Sequence, residues 1–299
     1  MRAEPKPAST AFFLTHLAAC SLAWGSSFLF IKLMNGALTP LVVAACRGGV
    51  AAVVLVGVVA AMGQVPLPRR DEIFPWMMIG AFNGAFPNML VAFALAQMDS
   101  GPAALMQSAG PLITAVAAHM LFADERLNRR SILGILVGFA GVILLIGPKA
   151  MEGSANALGA AAMLGVACCY AIGNLYTRTV RHHDPVRLSL GQQVCSTLIA
   201  VVAALLFGSA GQFEAIGTVL WPVLALGTLS TALPLTVFYR MIVRVGPTRA
   251  ALTGYTVPVV ATLLGVLILN ERLTLWQVAG GITAFLGVYL VTLAKRKEP

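Results

Sequence analysis

The chain is written twice, and that repetition leaves few folds open to it. At a constant offset of 145 residues, Trp76 falls on Trp221, Phe93 on Phe238, Gly101 on Gly246 and Pro102 on Pro247. Further along, the offset drifts by one or two. Pro111 pairs with Pro258, Glu125-Arg126-Leu127 with Glu271-Arg272-Leu273, and Gly134, Phe139, Gly141 and Val142 with Gly280, Phe285, Gly287 and Val288. The N-terminal parts agree more faintly, with Trp24 over Tyr170, Lys32 over Arg178 and Pro40 over Pro185. These matches divide the chain into two units, 1–150 and 151–299. Composition says which solvent the unit is made for. Of 299 residues, 59% are hydrophobic and 10% charged, against about 45–50% and about 25% in soluble domains. Such a chain cannot hide its apolar surface from water, so an all-α integral membrane protein is expected.

A helix crosses the bilayer core with about 20 residues. Apolar runs of that order occur near 10–33, 40–62, 74–97, 100–122, 130–148, 157–178, 186–208, 217–241, 247–269 and 274–294, which predicts ten transmembrane helices. The first run follows Arg2 and Lys6, and its Leu17-Ala18-Ala19-Cys20 loosely resembles a lipoprotein cleavage box. It continues to Phe30 and Ile31, which predicts a span and not a removed signal. Lys and Arg are shared unevenly between the two sides. Sixteen fall at the termini and every second connection, among them Arg69, Arg70, Arg126, Arg129, Arg130, Arg178, Arg181 and Arg187; the alternate connections hold only Lys32, Lys149 and Arg272. Cytoplasmic loops carry the excess of basic residues, so both termini are expected in the cytoplasm, with the protein in the inner or plasma membrane. The same asymmetry accounts for the net charge of +9 without a nucleic-acid partner. Five spans per unit is an odd number, so the second unit must cross in the opposite sense. The predicted architecture is two inverted five-helix repeats around a central cavity, the arrangement that supports alternating access.

Particular residues carry a family resemblance. Trp24-Gly25-Ser26-Ser27-Phe28 is similar to the tryptophan-glycine signature in the first helix of EamA-type members of the drug/metabolite transporter superfamily. Arg47 resembles their helix-2 arginine, and the two Glu-Arg-Leu runs resemble the hinges between the last two helices of each repeat. Within the family the chain looks most like the YddG-type exporters of aromatic amino acids. The resemblance implies secondary transport rather than enzyme activity. It also implies export from the cytoplasm through a cavity walled mainly by helices 1, 3, 4, 6, 8 and 9.

The residues themselves suggest where a pathway runs. A proline inside a helix removes one donor and frees the carbonyl four residues earlier. Pro87, Pro111, Pro234 and Pro258 do this in helices 3, 4, 8 and 9, freeing the carbonyls of Asn83, Gln107, Ser230 and Gly254. Bent helices around a polar cavity are one reading; ordinary kinks satisfied by neighbouring helices are the other. His16, Cys20, Trp24 and Ser27 make one stripe of helix 1, and Tyr170, Asn174 and Thr177 one of helix 6. The candidate substrate-binding residues are Trp24, Arg47, Asn83, Phe86, Gln107, Tyr170, Asn174, Thr228, Tyr239 and Tyr255, with Thr231 on the same face of helix 8. Amides and hydroxyls mixed with rings suit an amphipathic solute. Each aromatic also has a packing reading, and Trp76, Trp221 and Trp276 at helix ends read as interfacial anchors. Arg47, the one strong charge at membrane depth, reads equally as an anchor for a substrate carboxylate and as a structural clamp.

All Asp and Glu fall in tails or connections, so no buried carboxylate is expected and the usual proton relay is missing. His16 and His119 are the alternative proton-coupling candidates, or simple hydrogen-bonding residues. The reading is therefore facilitated, gradient-driven export as a uniporter. Gly134, Gly138 and Gly141 on helix 5, and Gly280, Ala284 and Gly287 on helix 10, form small-residue stripes suited to packing between repeats, with a dimer interface as runner-up and a monomer favoured. Cys20, Cys46, Cys168, Cys169 and Cys195 lie in apolar runs without metal-ligand spacing, so neither metal nor cofactor is called for. The partners expected are a small-molecule substrate and the lipid bilayer. Small amphipathic metabolites, above all aromatic and hydrophobic amino acids, are the expected cargo. Efflux of cationic drugs lacks the buried carboxylate it would want. A membrane-embedded lipid-modifying enzyme has only His182-His183-Asp184 to offer, more simply a solvated turn.

Overall fold

A computed structural model describes residues 10–121, 127–146, 154–180, 183–208, 211–245 and 253–295. At residues 146, 154–156, 178, 239, 240, 242–245, 255 and 291–295 it describes the backbone alone. Glu125, Arg126, Lys149, Arg181, His182 and the two termini therefore lie outside the described residues.

Every regular element among the described residues is helical. In chain order they are α1 (Thr10–Leu33), α2 (Pro40–Ala61), α3 (Ile73–Gly80), α4 (Phe86–Gln97), α5 (Ser100–Met106), α6 (Ala109–Leu121) and α7 (Arg129–Ile146). Then follow α8 (Ser154–Thr179), α9 (Pro185–Phe207), α10 (Leu220–Gly227), α11 (Leu233–Val245), α12 (Thr253–Ile268) and α13 (Leu275–Lys295). A π-helical turn, Ala81–Ala85, joins α3 to α4; another, Thr228–Ala232, joins α10 to α11. Seven stretches are long and apolar enough to cross a membrane: Thr10–Leu33, Pro40–Ala61, Ile73–Gln97, Ser100–Leu121, Ala157–Thr177, Pro185–Phe207 and Glu214–Phe238. Thr256–Ile268 and Leu275–Leu290 are shorter apolar helices. Their outer faces carry bare large side chains such as Val53, Ile143, Phe207 and Leu275, the last 88% exposed. An apolar surface of this kind needs lipid around it.

Local chemistry sets the helix ends. Thr39 accepts the amide of Val42 with Pro40 in the first turn, and Asp184 accepts the amides of Val186 and Arg187 with Pro185 in the first turn. Both are side-chain caps followed by a residue that needs no donor there. At the end of α12, Asn270 takes φ 55°, and the Glu271 amide closes back onto the Gly265 carbonyl. Asn tolerates this left-handed turn better than most residues.

The helix pairings map onto one another when the two halves of the chain are exchanged. α1 lies against α12 and α11; α8, its counterpart in the second half, lies against α6 and α4. α2 packs on α10 and the second π turn, while α9 packs on α3 and the first. α2 also meets α9, and α7 meets α13. A large core around Phe28, Met34, Leu95, Met106, Met163 and Leu226 fills one end of the bundle. A smaller one, around Leu55, Trp76, Ile79 and Leu190, lies among α2, α3 and α9.

The small-residue stripes of α7 and α13 pack on each other. A methyl added at Gly141 would overlap the backbone of Ala284, and one at Gly287 would overlap the backbone of Gly138. These faces are occupied within the chain.

Two sequence expectations need correction. Trp76 is no interfacial anchor: it is 2% exposed, and its ring fills the space that Gly191 leaves open on α9. Trp221 and Trp276 are exposed. Nor are all carboxylates solvated. Glu72, just before α3, is 1% exposed, and both its oxygens receive Arg187 of α9, from Nε at 2.7 Å and Nη2 at 2.6 Å. Arg187 also donates to the carbonyls of Val65 and Leu67, and the Arg69 amide donates to Glu72. The connection thus folds over an ion pair whose polar atoms are met, the condition under which burial of charge is tolerated.

Candidate functional site

A cavity of about 950 Å³ runs between the helices. Its wall includes Trp24 and Ser27 of α1, Arg47 of α2, Asn83 of the first π turn, Asn88 of α4, and Gln107 beside the α5–α6 break. The second half contributes Tyr170 and Asn174 of α8, Gln192 and Gln193 of α9, Thr231 of the second π turn, and Thr253 and Pro258 of α12. Beyond Gln107 it follows α6 through Pro111 and Thr114 to Ala118. Volumes of this order hold small-molecule ligands.

The four prolines stand in different local settings. Pro87 and Pro234 each stand second in an α-helix that follows a π turn, where the amides of Phe86 and Leu233 reach back five residues to the carbonyls of Ala81 and Thr228. Pro111 stands third in α6, after the break at Gln107 and Ser108. Pro258 lies inside α12, which stays continuous. Two of the freed carbonyls find partners, that of Asn83 from a neighbouring helix and that of Gln107 from the Gly110 amide at 3.0 Å, and the Ser230 side chain bonds another helix. Gln192 Nε2 donates to the Asn83 carbonyl at 3.0 Å, and Ser26 and Ser230 share a hydroxyl hydrogen bond of 2.8 Å. The kinks are therefore bonded to neighbouring helices, and they also border a cavity. The two readings are both present.

Arg47 is the one charged residue on the cavity wall among the described residues. Its Nε donates to Thr231 Oγ1 at 3.0 Å, and Thr231 in turn donates to the Leu226 carbonyl at 2.8 Å. Trp24 packs edge-on against Phe238, with ring centroids 5.2 Å apart. The Asn83 amide lies directly over Gly173, whose missing side chain makes room for it.

Of the sequence candidates, Trp24, Arg47, Asn83, Gln107, Tyr170, Asn174, Pro111 and Pro258 line this cavity. Phe86 does not: it is 40% exposed and packs on Phe82. Thr228 spends its hydroxyl on the Leu224 carbonyl of its own helix. Pro87 and Pro234 are buried behind the wall. The side chains of Tyr239 and Tyr255 lie outside the described residues. His16 bonds the Phe12 carbonyl at 2.8 Å, and His119 accepts the Leu127 amide at 3.2 Å. Neither histidine lines the cavity. Sequence reasoning missed Asn88, Gln192 and Gln193. The repeat held a signal for Gln192 alone, because Arg47 falls on it at an offset of 145.

At the other end of α5, a carboxylate holds a helix start. Glu271 Oε1 accepts the Ser100 amide at 2.8 Å; Oε2 accepts the Ser100 hydroxyl at 2.8 Å and the Gly101 amide at 3.0 Å. Anions are favoured where a helix leaves its first donors unpaired. A methyl on Gly265 would fall on both Glu271 and Ser100, so that glycine leaves the space for the latch. Glu271→Ala strands three donors and should cost about 1–3 kcal/mol. Amide exchange at Ser100 and Gly101 should rise in that variant; unchanged exchange would mean the cap is dispensable.

A many-helix membrane bundle enclosing a cavity with polar side chains in its wall is the build of a multi-pass membrane transporter. Residues 11–147 and 157–293 each match the EamA-like transporter family, and the chain belongs to that family. It is 28% identical over 294 residues to "Uncharacterized inner membrane transporter YedA" of Escherichia coli (strain K12), covering 95% of this chain and 91% of that one. It is 27% identical over 279 residues to "Probable amino-acid metabolite efflux pump" of Salmonella typhimurium, covering 90% and 91% respectively. A solved structure, "Crystal structure of protein", superposes with a TM-score of 0.65 at 19% identity, over 97% of this chain and 100% of that one, and shares its fold.

Proposed function

We propose that this transporter exports small amphipathic metabolites from the cytoplasm, foremost aromatic and other hydrophobic amino acids, by alternating access and without a coupled proton. The observation that carries this is the make-up of the cavity wall: one guanidinium, several amides and hydroxyls, and the rings of Trp24, Phe28 and Tyr170. Amides and rings together fit a solute with a polar head and an apolar body. The relative in Salmonella typhimurium named an amino-acid metabolite efflux pump supports the same cargo. Among the described residues no carboxylate lines the wall, which disfavours a permanent cation as cargo.

Alternating access rests here on ten spans arranged as two inverted five-helix repeats, 1–150 and 151–299, with both termini in the cytoplasm of a cell whose inner membrane holds the protein. The exchangeable helix pairings support the repeat, and the distribution of Lys and Arg supports the orientation. In that orientation Ala118 and Thr253 of the cavity wall belong to the cytoplasmic half, and the Glu271 latch lies on the far side.

Proteoliposomes loaded with unlabelled phenylalanine should take up labelled phenylalanine by counterflow. An imposed pH gradient alone should drive no uphill accumulation. Counterflow absent for every amino acid of a panel overturns the cargo; accumulation driven by the gradient overturns uniport.

A further inference from the structure

The cavity has two matched shoulders with different chemistry. The π turns Ala81–Ala85 and Thr228–Ala232 recur at the same place in each half, and each is held by a polar side chain of the other half. Gln192 of α9 donates to the Asn83 carbonyl in the first; Arg47 of α2 donates to Thr231 in the second. Arg47 and Gln192 are themselves equivalent positions of the repeat. One shoulder therefore carries a full positive charge and its twin a neutral amide.

The charged shoulder is half used. Thr231 gives its own proton to the Leu226 carbonyl, so its oxygen is left to accept, and it fixes Arg47 through Nε. Neither terminal nitrogen of Arg47 makes a hydrogen bond to a described residue, and the side chain lines the cavity. A guanidinium held by its Nε keeps the two-pronged edge that carboxylates fit. Close by in the wall, Gln193 is 2% exposed and its Oε1 has no partner among the described residues. That oxygen is an acceptor, so it suits a donor on the cargo such as an ammonium, while the carboxylate is left to the guanidinium.

We infer that the cargo is recognised through a carboxylate, held on the terminal nitrogens of Arg47, with Thr231 as the residue that positions the guanidinium. This deepens the proposed function and rests on its placing of the cargo in this cavity. Its consequence is a selectivity rule. A carboxylate with an apolar body binds even without an amino group, whereas the matching amine or amide without a carboxylate does not.

The test is competition against phenylalanine counterflow, together with thermal stabilisation of the purified protein, by phenylalanine, 3-phenylpropionate, phenylalaninamide and phenethylamine. For the unaltered chain the first two should bind and the last two should not. Arg47→Gln makes the shoulders alike and should remove the preference, weakening the carboxylates by about tenfold or more. Arg47→Lys keeps the charge without the fork and should restore only part of the affinity. Thr231→Val keeps the shape but loses the two bonds of the hydroxyl, so it should melt lower without ligand and weaken carboxylates several-fold relative to amides, a ratio read within the folded variant. Should Arg47→Gln fail to fold, the selectivity ratio of Thr231→Val decides. Equal binding of phenylalanine and phenylalaninamide, or an unchanged ratio in the folded variants, overturns the inference while leaving amino-acid export standing. Selective binding of 3-phenylpropionate without any amino-acid counterflow would do the reverse.

Discussion

Glu72→Ala should destabilise the folded protein by about 3–5 kcal/mol, because it leaves the Arg187 guanidinium buried without its counter-ion. Arg187 is 4% exposed, and Glu72 meets it with two hydrogen bonds; the remaining bonds, to the carbonyls of Val65 and Leu67, offer no charge to replace it. Removing both partners, as in Glu72→Leu with Arg187→Met, should recover part of the loss. Recovery stays incomplete because those two carbonyls then lose their donor. The pair also predicts a pH response. The Arg187 hydrogen bond, and then the Arg69 amide and the nearby positive charge, hold the Glu72 carboxyl below its ordinary value of 4.5, while burial pushes the other way. A carboxyl that is more acidic folded than unfolded contributes its full stability above the ordinary value and loses it as pH falls through the lowered one. Melting temperatures in detergent from neutral pH downward should therefore fall on the acid side, and Glu72→Gln should flatten that limb. A parent and a Glu72→Gln variant with parallel acid limbs would show that the pair does not set acid stability.

That pair also shows where the sequence stopped being readable. Glu72 and Arg187 lie 115 positions apart, in connections that look solvated, and neither has a charged counterpart in the other half. An ion pair between distant connections leaves no periodicity, so charge counting placed both in water. Helix identity was legible because the lipid environment demands long apolar runs, and the glycine stripes were legible because their spacing is that of one helix face. The cavity was legible in part. Trp24 on helix 1, with prolines and amides on helices 3, 4, 6 and 9, pointed to it. Phe86 and Thr228 show the limit, since a polar or aromatic residue near a kink turns outward or bonds its own helix with equal ease. Gln192 was hidden for another reason. Its meaning comes only from lying opposite Arg47 in the repeat, a comparison that needs both halves aligned and a fold to place them.

One chemical change, glycine to alanine, should move stability in opposite directions at two places in this chain. At Gly57 in α2, nothing lies within 4 Å of where the methyl would go. There the substitution only removes backbone freedom from the unfolded chain, so Gly57→Ala should be neutral or stabilising by about 0.5–1 kcal/mol. At Gly287 in α13 the same methyl meets the Gly138 backbone, and at Gly141 in α7 it meets that of Ala284. No flexible side chain can swing away, so the two helices must separate along the seam. Lipid supplies no hydrophobic drive to hold them together, and helix association there depends on close van der Waals contact. Gly287→Ala and Gly141→Ala should each cost about 1–3 kcal/mol, the usual range for overpacking, and leucine at either position should cost more. Thermal unfolding in detergent separates the cases by sign. Gly287→Ala melting at or above the parent, while Gly57→Ala melts below it, would show that the α7–α13 seam yields freely. The backbone contacts would then place the helices without holding them. A seam that does not yield keeps α7 and α13 together as one pillar, and the motion of the proposed alternating access then falls on the other helices.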